Sequence, residues 1–233
     1  MVKVSDLPVP AEQSQPRRTR RTGPYKAADG RRQAILEAAV EHFATWGFFN
    51  ASVPKIAADV GLTKAGLLHH FGSKEQLLAA VLETRDQQAI DTFFTEGATP
   101  DVPTYLGQVA ALSRFNENQP GLTQLFSVLS VEASNPAHPA HLYFRQRYAR
   151  VVGASADVFA RAAAAGDLRP GFDPDHLASE LIAVLDGLAV QWALSESAFS
   201  LSERVAEYLN RLSGSILVDR SCAHRDPPLS PRR

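Results

Sequence analysis

Apolar side chains recur at helical spacing along most of the chain. Ile35, Ala39, Phe43 and Trp46 share one face of a segment that opens near Arg31. Gly47 follows at once, and a glycine free to take positive φ is a frequent helix stop. Ser52 stands as the N-cap of a short helix through Ile56 and Ala57 to Val60. Pro54 lies in its first turn, where a missing N–H costs little. Gly61 makes a turn, and Thr63 caps a helix from Lys64 to about His70. Ser73 and Gln76 read as a capping box that opens a fourth helix.

Further on, the same period predicts helices over 74–95, 102–118, 120–133, 138–165, 174–195 and 201–217. Asp173 is the expected cap of the 174–195 helix, with Pro174 at its first position. No convincing series of period-2 strands is present, so the expected fold is all-α. Residues 1–29, with Pro8, Pro10, Pro16 and Pro24, and residues 219–233 lack this periodicity and read as disordered.

The 174–195 helix is apolar on two faces. Leu177, Leu181, Val184, Leu188 and Trp192 form one stripe; Ala178, Ile182, Ala189 and Ala193 form another. One stripe suits the chain's own core and the other a partner. The last helix adds Leu201, Val205, Tyr208, Leu212 and Ile216.

Composition narrows the class. With 233 residues, 45% of them hydrophobic, the chain can build a core and is not wholly disordered. A single cysteine, Cys222, excludes an intrachain disulfide scaffold. No secretory h-region opens the chain, and Asp186 breaks the apolar run Leu181–Leu185, so neither export nor a membrane partner is expected. The expected location is the cytoplasm.

The net charge of −1 disfavours a nucleic-acid partner until it is divided by region. Residues 1–76 hold 11 basic and 7 acidic side chains, a net of +4, and the remainder is −5. All lysines lie at or before Lys74.

The basic part holds Ile56-Ala57-Ala58-Asp59-Val60-Gly61-Leu62-Thr63-Lys64-Ala65-Gly66-Leu67. Small Ala57 lets two helices cross closely, Gly61 permits the tight turn, and Ile56, Val60, Leu62 and Leu67 can bury between them. This is the pattern of a helix-turn-helix. With the flanking Ile35-Leu36-Glu37-Ala38-Ala39, Phe43, Gly47-Phe48, Ser52-Val53-Pro54-Lys55 and His69-His70-Phe71-Gly72-Ser73-Lys74-Glu75-Gln76-Leu77-Leu78, it resembles the TetR family of bacterial transcription regulators over residues 31–80.

That resemblance implies a DNA-binding domain over 30–78 and a helical ligand-binding and dimerising domain over 79–218. It implies a homodimer on a palindromic double-stranded operator, a repressor released by a small-molecule effector. The last two helices would form a four-helix dimer interface. Thr63, Lys64, Ala65 and Gly66 at the head of the recognition helix, His69 and His70 at its end, and Ser52 and Lys55 before it are the implied DNA-facing residues. Lys74 matches a phosphate-contacting lysine. Capping is an alternative role for Thr63 and Ser73. The family commonly has Gly-Thr-Leu-Tyr where this chain has Ala65-Gly66-Leu67-Leu68, so the tyrosine contact is lost at Leu68 and Gly66 brings no side chain to a base. The arm Arg17-Arg18-Thr19-Arg20-Arg21 is a candidate to track phosphates or enter the minor groove, with a solvated tail as the alternative.

For the effector, Phe115, Leu125, Phe126, Leu129, Phe144 and Tyr148 are the candidate lining residues, and an apolar or aromatic molecule is expected. His138 with His141, and Asp173 with Asp175 and His176, read as surface groups at helix starts rather than metal ligands. Nothing implies a cofactor. No nucleophile elbow, phosphate-cradling loop or zinc-protease motif is present, so an enzyme is not expected. The competing reading is a helical small-molecule binder without specific DNA recognition.

Overall fold

The computed structural model describes residues 24–94, 99–196 and 198–218, with side chains from residue 30 onward. Within them the chain is all-α: α1 (Pro24–Asn50), α2 (Val53–Asp59), α3 (Lys64–Phe71), α4 (Lys74–Phe93), α5 (Val102–Glu117), α6 (Pro120–Glu132), α7 (His141–Ala164), α8 (Pro174–Leu194) and α9 (Leu201–Ile216). The one extended contact among the described residues is an isolated antiparallel bridge between Leu168 and Leu217.

Local chemistry accounts for most boundaries. Gly47 breaks the regular path of α1 with φ 66° and ψ 175°. The positive φ calls for glycine, and a β-carbon there would also displace the Glu132 carboxylate at the end of its side chain. Thr63, Ser73, Asp101, Asp173 and Ser200 each accept a first-turn N–H at the head of a helix. Ser52 occupies the N-cap position of α2, but its side chain makes no capping bond. The Ser73 box is half realised: Ser73 Oγ accepts from Gln76 N–H, while Ser73 N–H donates to Phe71 O. α7 starts at His141 rather than 138, because Pro136 and Pro139 keep the preceding residues out of helical conformation.

Two cores form. The first gathers Ile35, Phe43, Ile56, Leu67, Leu77 and Leu78 from α1–α4 with Leu125 and Leu129 of α6 and Phe144 of α7. The second joins Val109 of α5, Phe159 of α7, Leu181 and Trp192 of α8, and Leu201, Val205, Leu212 and Ile216 of α9. α6 lies along α1, and α9 lies along α5.

This packing corrects several expectations. The helix of α1 already runs through residues 24–29, which were read as part of the disordered arm; Tyr25-Lys26-Ala27-Ala28 after Pro24 is compatible with a helical start. The rest of that arm, with Arg17–Arg21, and the tail 219–233 lie outside the described residues. The cores do not divide at 78/79, since α6 completes the core of α1–α4. Trp46 points outward, 58% exposed, because the turn at Gly47 carries Phe48 inward instead. The apolar stripe of α9 is spent on its own subunit, so most of it is not free for a partner. Against the expectation drawn from Asp186, α8 is long and apolar enough to cross a bilayer by length and composition, with mean hydropathy 1.5. Here it packs on α7, α6 and α9.

Candidate functional site

Two regions bring chemistry together. The first is the exposed face of α2 and α3. Gly61, at φ 68°, turns the chain, and Leu62 N–H donates to Ala57 O at 2.8 Å, which locks the turn onto α2. Ile56, Ala57, Leu67 and Phe71 bury behind it. Lys55, Thr63, Lys64, Ala65, His69 and His70 are therefore left exposed, with Ser52, Gly66 and Leu68 half-buried. Thr63 Oγ1 accepts from Gly66 N–H at 3.1 Å, so the capping alternative holds in the structure, while its hydroxyl proton stays available to an anion. A β-carbon at Gly66 would meet only Thr63 Oγ1 at 3.4 Å and Leu62 carbons beyond. The protein's own packing does not require glycine there.

Lys74 is placed differently from expectation. It is half-buried, its Nζ donates to Phe49 O at 3.1 Å and lies 4.7 Å from the Phe48 ring centre. Burial lowers its pKa, opposed by Glu75. It ties the head of α4 to the end of α1.

The same junction reaches the end of α6 and the loop after it. Phe48 N–H donates to Glu132 Oε2 at 3.2 Å. His138 Nε2 lies 3.4 Å from that oxygen, and the His138 ring meets Phe48 and Phe49 edge-on at 5.4 and 5.3 Å. His138 is thus buried, not a surface group as expected, and its Nδ1 accepts from Ala140 N–H. Burial holds its pKa below the ordinary value against the pull of Glu132. The end of α6 and the loop after it are clasped to the end of α1.

The second region is a cavity of about 390 Å³ among α4–α9. Phe126, Phe144 and Tyr148 line it as expected. Leu125 and Leu129 do not; both are fully buried on the opposite side of α6, against the α1–α4 core. Phe115 also turns away and packs on Phe93 at 5.4 Å. One end of the cavity is apolar, with Ile90, Val109, Ile182, Leu185, Ala189 and Val205.

The other end is charged, which the expected apolar or aromatic effector does not by itself call for. Asp86, 9% exposed, accepts at Oδ1 from Arg85 Nη1 and Arg147 Nε, both at 3.1 Å. At Oδ2 it accepts from Tyr143 Oη at 2.7 Å and Arg150 Nη2 at 2.9 Å. Arg85 also donates to Asn116 Oδ1, and Tyr148 Oη to Asp186 Oδ2 at 2.7 Å. Burial works against the Asp86 charge, but Arg147, the Tyr143 hydrogen bond and Arg85 carry its pKa below the ordinary carboxylate value. Burial lowers the Arg85 pKa. Arg147 is also buried, yet Asp86 beside it raises its pKa. At Asp186 burial wins over Tyr148 and Arg147, and the pKa is raised. Burial beside Asp186 pushes the Tyr148 hydroxyl up to about 12. A signal for this cluster was present: Arg85 and Asp86 stand where the stripe Leu78-Leu82-Ala89 should continue apolar, and Asp186 interrupts an otherwise apolar helix. Among the described residues, no group of three or more His, Cys, Asp or Glu gathers to hold a metal.

Residues 35–81 match the family model of bacterial regulatory proteins of the tetR family, and residues 120–214 match that of the BetI-type transcriptional repressor C-terminal region. The HTH-type transcriptional repressor Rv1474c of Mycobacterium tuberculosis is 24% identical over 195 residues, 80% of this chain and 92% of its own length. The SmeT–triclosan complex superposes with a TM-score of 0.69 at 19% identity, covering 88% of this chain and 98% of that one. A transcriptional regulator from Saccharomonospora viridis in complex with choline does so with a TM-score of 0.61 at 22% identity, covering 82% and 100%. These two structures share the fold.

Proposed function

The chain belongs to the TetR family of bacterial regulatory proteins, a ligand-responsive DNA-binding transcriptional regulator, and from that premise we propose that it is a homodimeric repressor. Its two copies of α3 would enter successive major grooves of a palindromic operator, about 34–36 Å apart. The observation that carries this is the face of α3: Leu67 and Phe71 seat it on the core, while Thr63, Lys64, Ala65, His69 and His70 stay uncovered together. Lys64 suits guanine or phosphate, and the head of α3 suits phosphate. Lys55 and Ser52 flank it, and Gly66 lets the duplex backbone approach without a side chain in the way.

Dimerisation is supported by α8. Val184 is only half-buried within one subunit, and Leu194 is 80% exposed. A second copy covering this face would complete the burial of an apolar helix. Such a protein acts on DNA in the cytoplasm and needs no catalysis; the matched relative is itself named a transcriptional repressor.

Release by an effector has a physical route. α6 lines the cavity with Thr123, Phe126, Ser127 and Ser130, and packs its other side on α1 through Leu125 and Leu129. α4 lines the cavity at Arg85, Asp86 and Ala89, and its head carries Lys74. A ligand that favours a different placement of α4 and α6 therefore shifts α1, through the Glu132–Phe48 bond, and the spacing of the two α3 helices. The test is a binding selection on genomic fragments with the full-length protein at low salt. A palindromic consensus is expected; recovery of fragments with no shared sequence refutes the proposal.

A further inference from the structure

The charged residues that line the cavity gather around Asp86. Three guanidinium groups (Arg85, Arg147 and Arg150) face two carboxyl groups (Asp86 and Asp186). With both acids ionised, the surplus positive charge is that of the half-exposed Arg150, while the buried Arg85 and Arg147 match the two acids. Asp86 has no capacity left: its two oxygens already accept from four donors. Asp186 has given one oxygen to Tyr148.

Apart from the second oxygen of Asp186, the unused groups at this end are donors. Arg147 is spoken for at Nε, and its terminal nitrogens carry no hydrogen bond to the described residues. Asn116 offers its amide nitrogen, because its oxygen is the one that accepts from Arg85. The hydroxyls of Ser127, Ser130 and Thr123 donate to backbone carbonyls instead. At this end the faces of Phe126 and Tyr148 are also taken, while Phe94, Tyr105 and Phe144, which line the cavity too, carry no guanidinium. Arg85 and Arg147 lie 4.3 and 5.4 Å from the Phe126 ring centre, and Arg147 lies 6.0 Å from that of Tyr148. A quaternary ammonium needs such faces free, and would meet the guanidinium groups as like charges.

We infer that the effector is an amphipathic carboxylate, its acid group held by Arg147 and Asn116 and its apolar body lying toward Val109, Ile182 and Val205. A buried guanidinium with free, forked N–H groups is the best-matched partner for a carboxylate out of water. The apolar residues accept a chain or ring, and the hydroxyls of Tyr105 and Ser113, which also line the cavity, are already bonded to Ser155 Oγ and Val109 O. The inference rests on reading the cavity as the effector site.

The test uses calorimetry on the full-length protein with octanoate and 4-phenylbutyrate, their primary amides, and octyltrimethylammonium. At least one carboxylate is expected to bind once per chain, at least tenfold more tightly than its amide, and the cation not at all. Arg147→Gln should remove that preference, and Arg147→Lys should restore part of it. Arg147→Gln also loosens Asp86, so Val151→Phe supplies a second variant. It fills the cavity from α7 without touching the charges, and should abolish carboxylate binding while the circular dichroism spectrum stays native. Amide or cation binding as tight as the carboxylate overturns the inference, as does carboxylate binding indifferent to both Arg147→Gln and Val151→Phe, or no binding by any probe. Selected DNA fragments in a gel shift separate the two readings. Specific DNA binding with no carboxylate preference sinks the ligand class alone; carboxylate binding without specific DNA binding sinks the repressor.

Discussion

Asp86→Asn removes the one charge that holds three arginines together. The carboxylate is nearly buried and accepts four hydrogen bonds, three of them from guanidinium groups. An asparagine of the same shape keeps one acceptor oxygen and points an amide donor at either the Arg85–Arg147 pair or Tyr143 and Arg150. Removing one partner from a buried ion pair costs about 3–5 kcal/mol, because the charges left behind are neither solvated nor paired. Arg150 is half exposed and can turn to water, so the lower part of that range is expected, about 3 kcal/mol. For a domain of this size that is a fall in Tm of roughly 6–12 °C. Urea denaturation followed by circular dichroism, at one fixed protein concentration, measures it directly. The wild-type advantage should also fade in acid. The folded-state pKa of Asp86 lies below its ordinary value, so its contribution is complete above the unfolded-state pKa, about 4, and is lost as pH falls through the folded-state value. A loss under 1 kcal/mol at neutral pH would refute the reasoning, and would mean that the arginines are solvated rather than held by Asp86.

Asp186 should behave in the opposite sense. Its pKa is raised by burial, so its protonated form favours folding below the unfolded-state pKa and that contribution disappears as pH rises through the folded-state value; Asp186→Asn should match or exceed wild-type stability at pH 7 and lose that edge near pH 4, in parallel melts. Lys64→Ala should weaken operator binding, and a salt titration reads the mode: a phosphate contact lowers the slope of log K on log salt by about 1, whereas a guanine contact costs about 1–3 kcal/mol at one base pair only. Gly66→Ala should stabilise α3 by up to about 0.8–1.0 kcal/mol, since its β-carbon meets only ordinary contacts, yet weaken operator binding in a gel shift; unchanged DNA affinity would show that the duplex does not approach Gly66 closely.

Much of the fold was legible because helix ends are local. Thr63, Ser73 and Asp173 cap within three residues of themselves, and Gly47 and Gly61 take the positive φ that their turns need. The face of α3 was legible for the same reason: a period of 3.6 residues separates Leu67 and Phe71 from Lys64 and His69. The cavity was only half legible. Aromatic residues at helical spacing do not say which neighbour they meet, so Leu125 and Leu129 were assigned to the wrong side of α6 and Phe115 to the wrong partner.

By itself, the sequence determined the order of the helices, most of their caps and the exposed face of α3, because these depend on spacing and on bonds spanning a few residues. Tertiary structure alone decided that α6 belongs to the core of the DNA-binding part, that the stripe of α9 is consumed within its own subunit, and that Arg85 and Asp86 meet Arg147 some sixty residues away. Burial and pairing of charges are properties of packed helices, since only packing removes the water that would otherwise satisfy each of them.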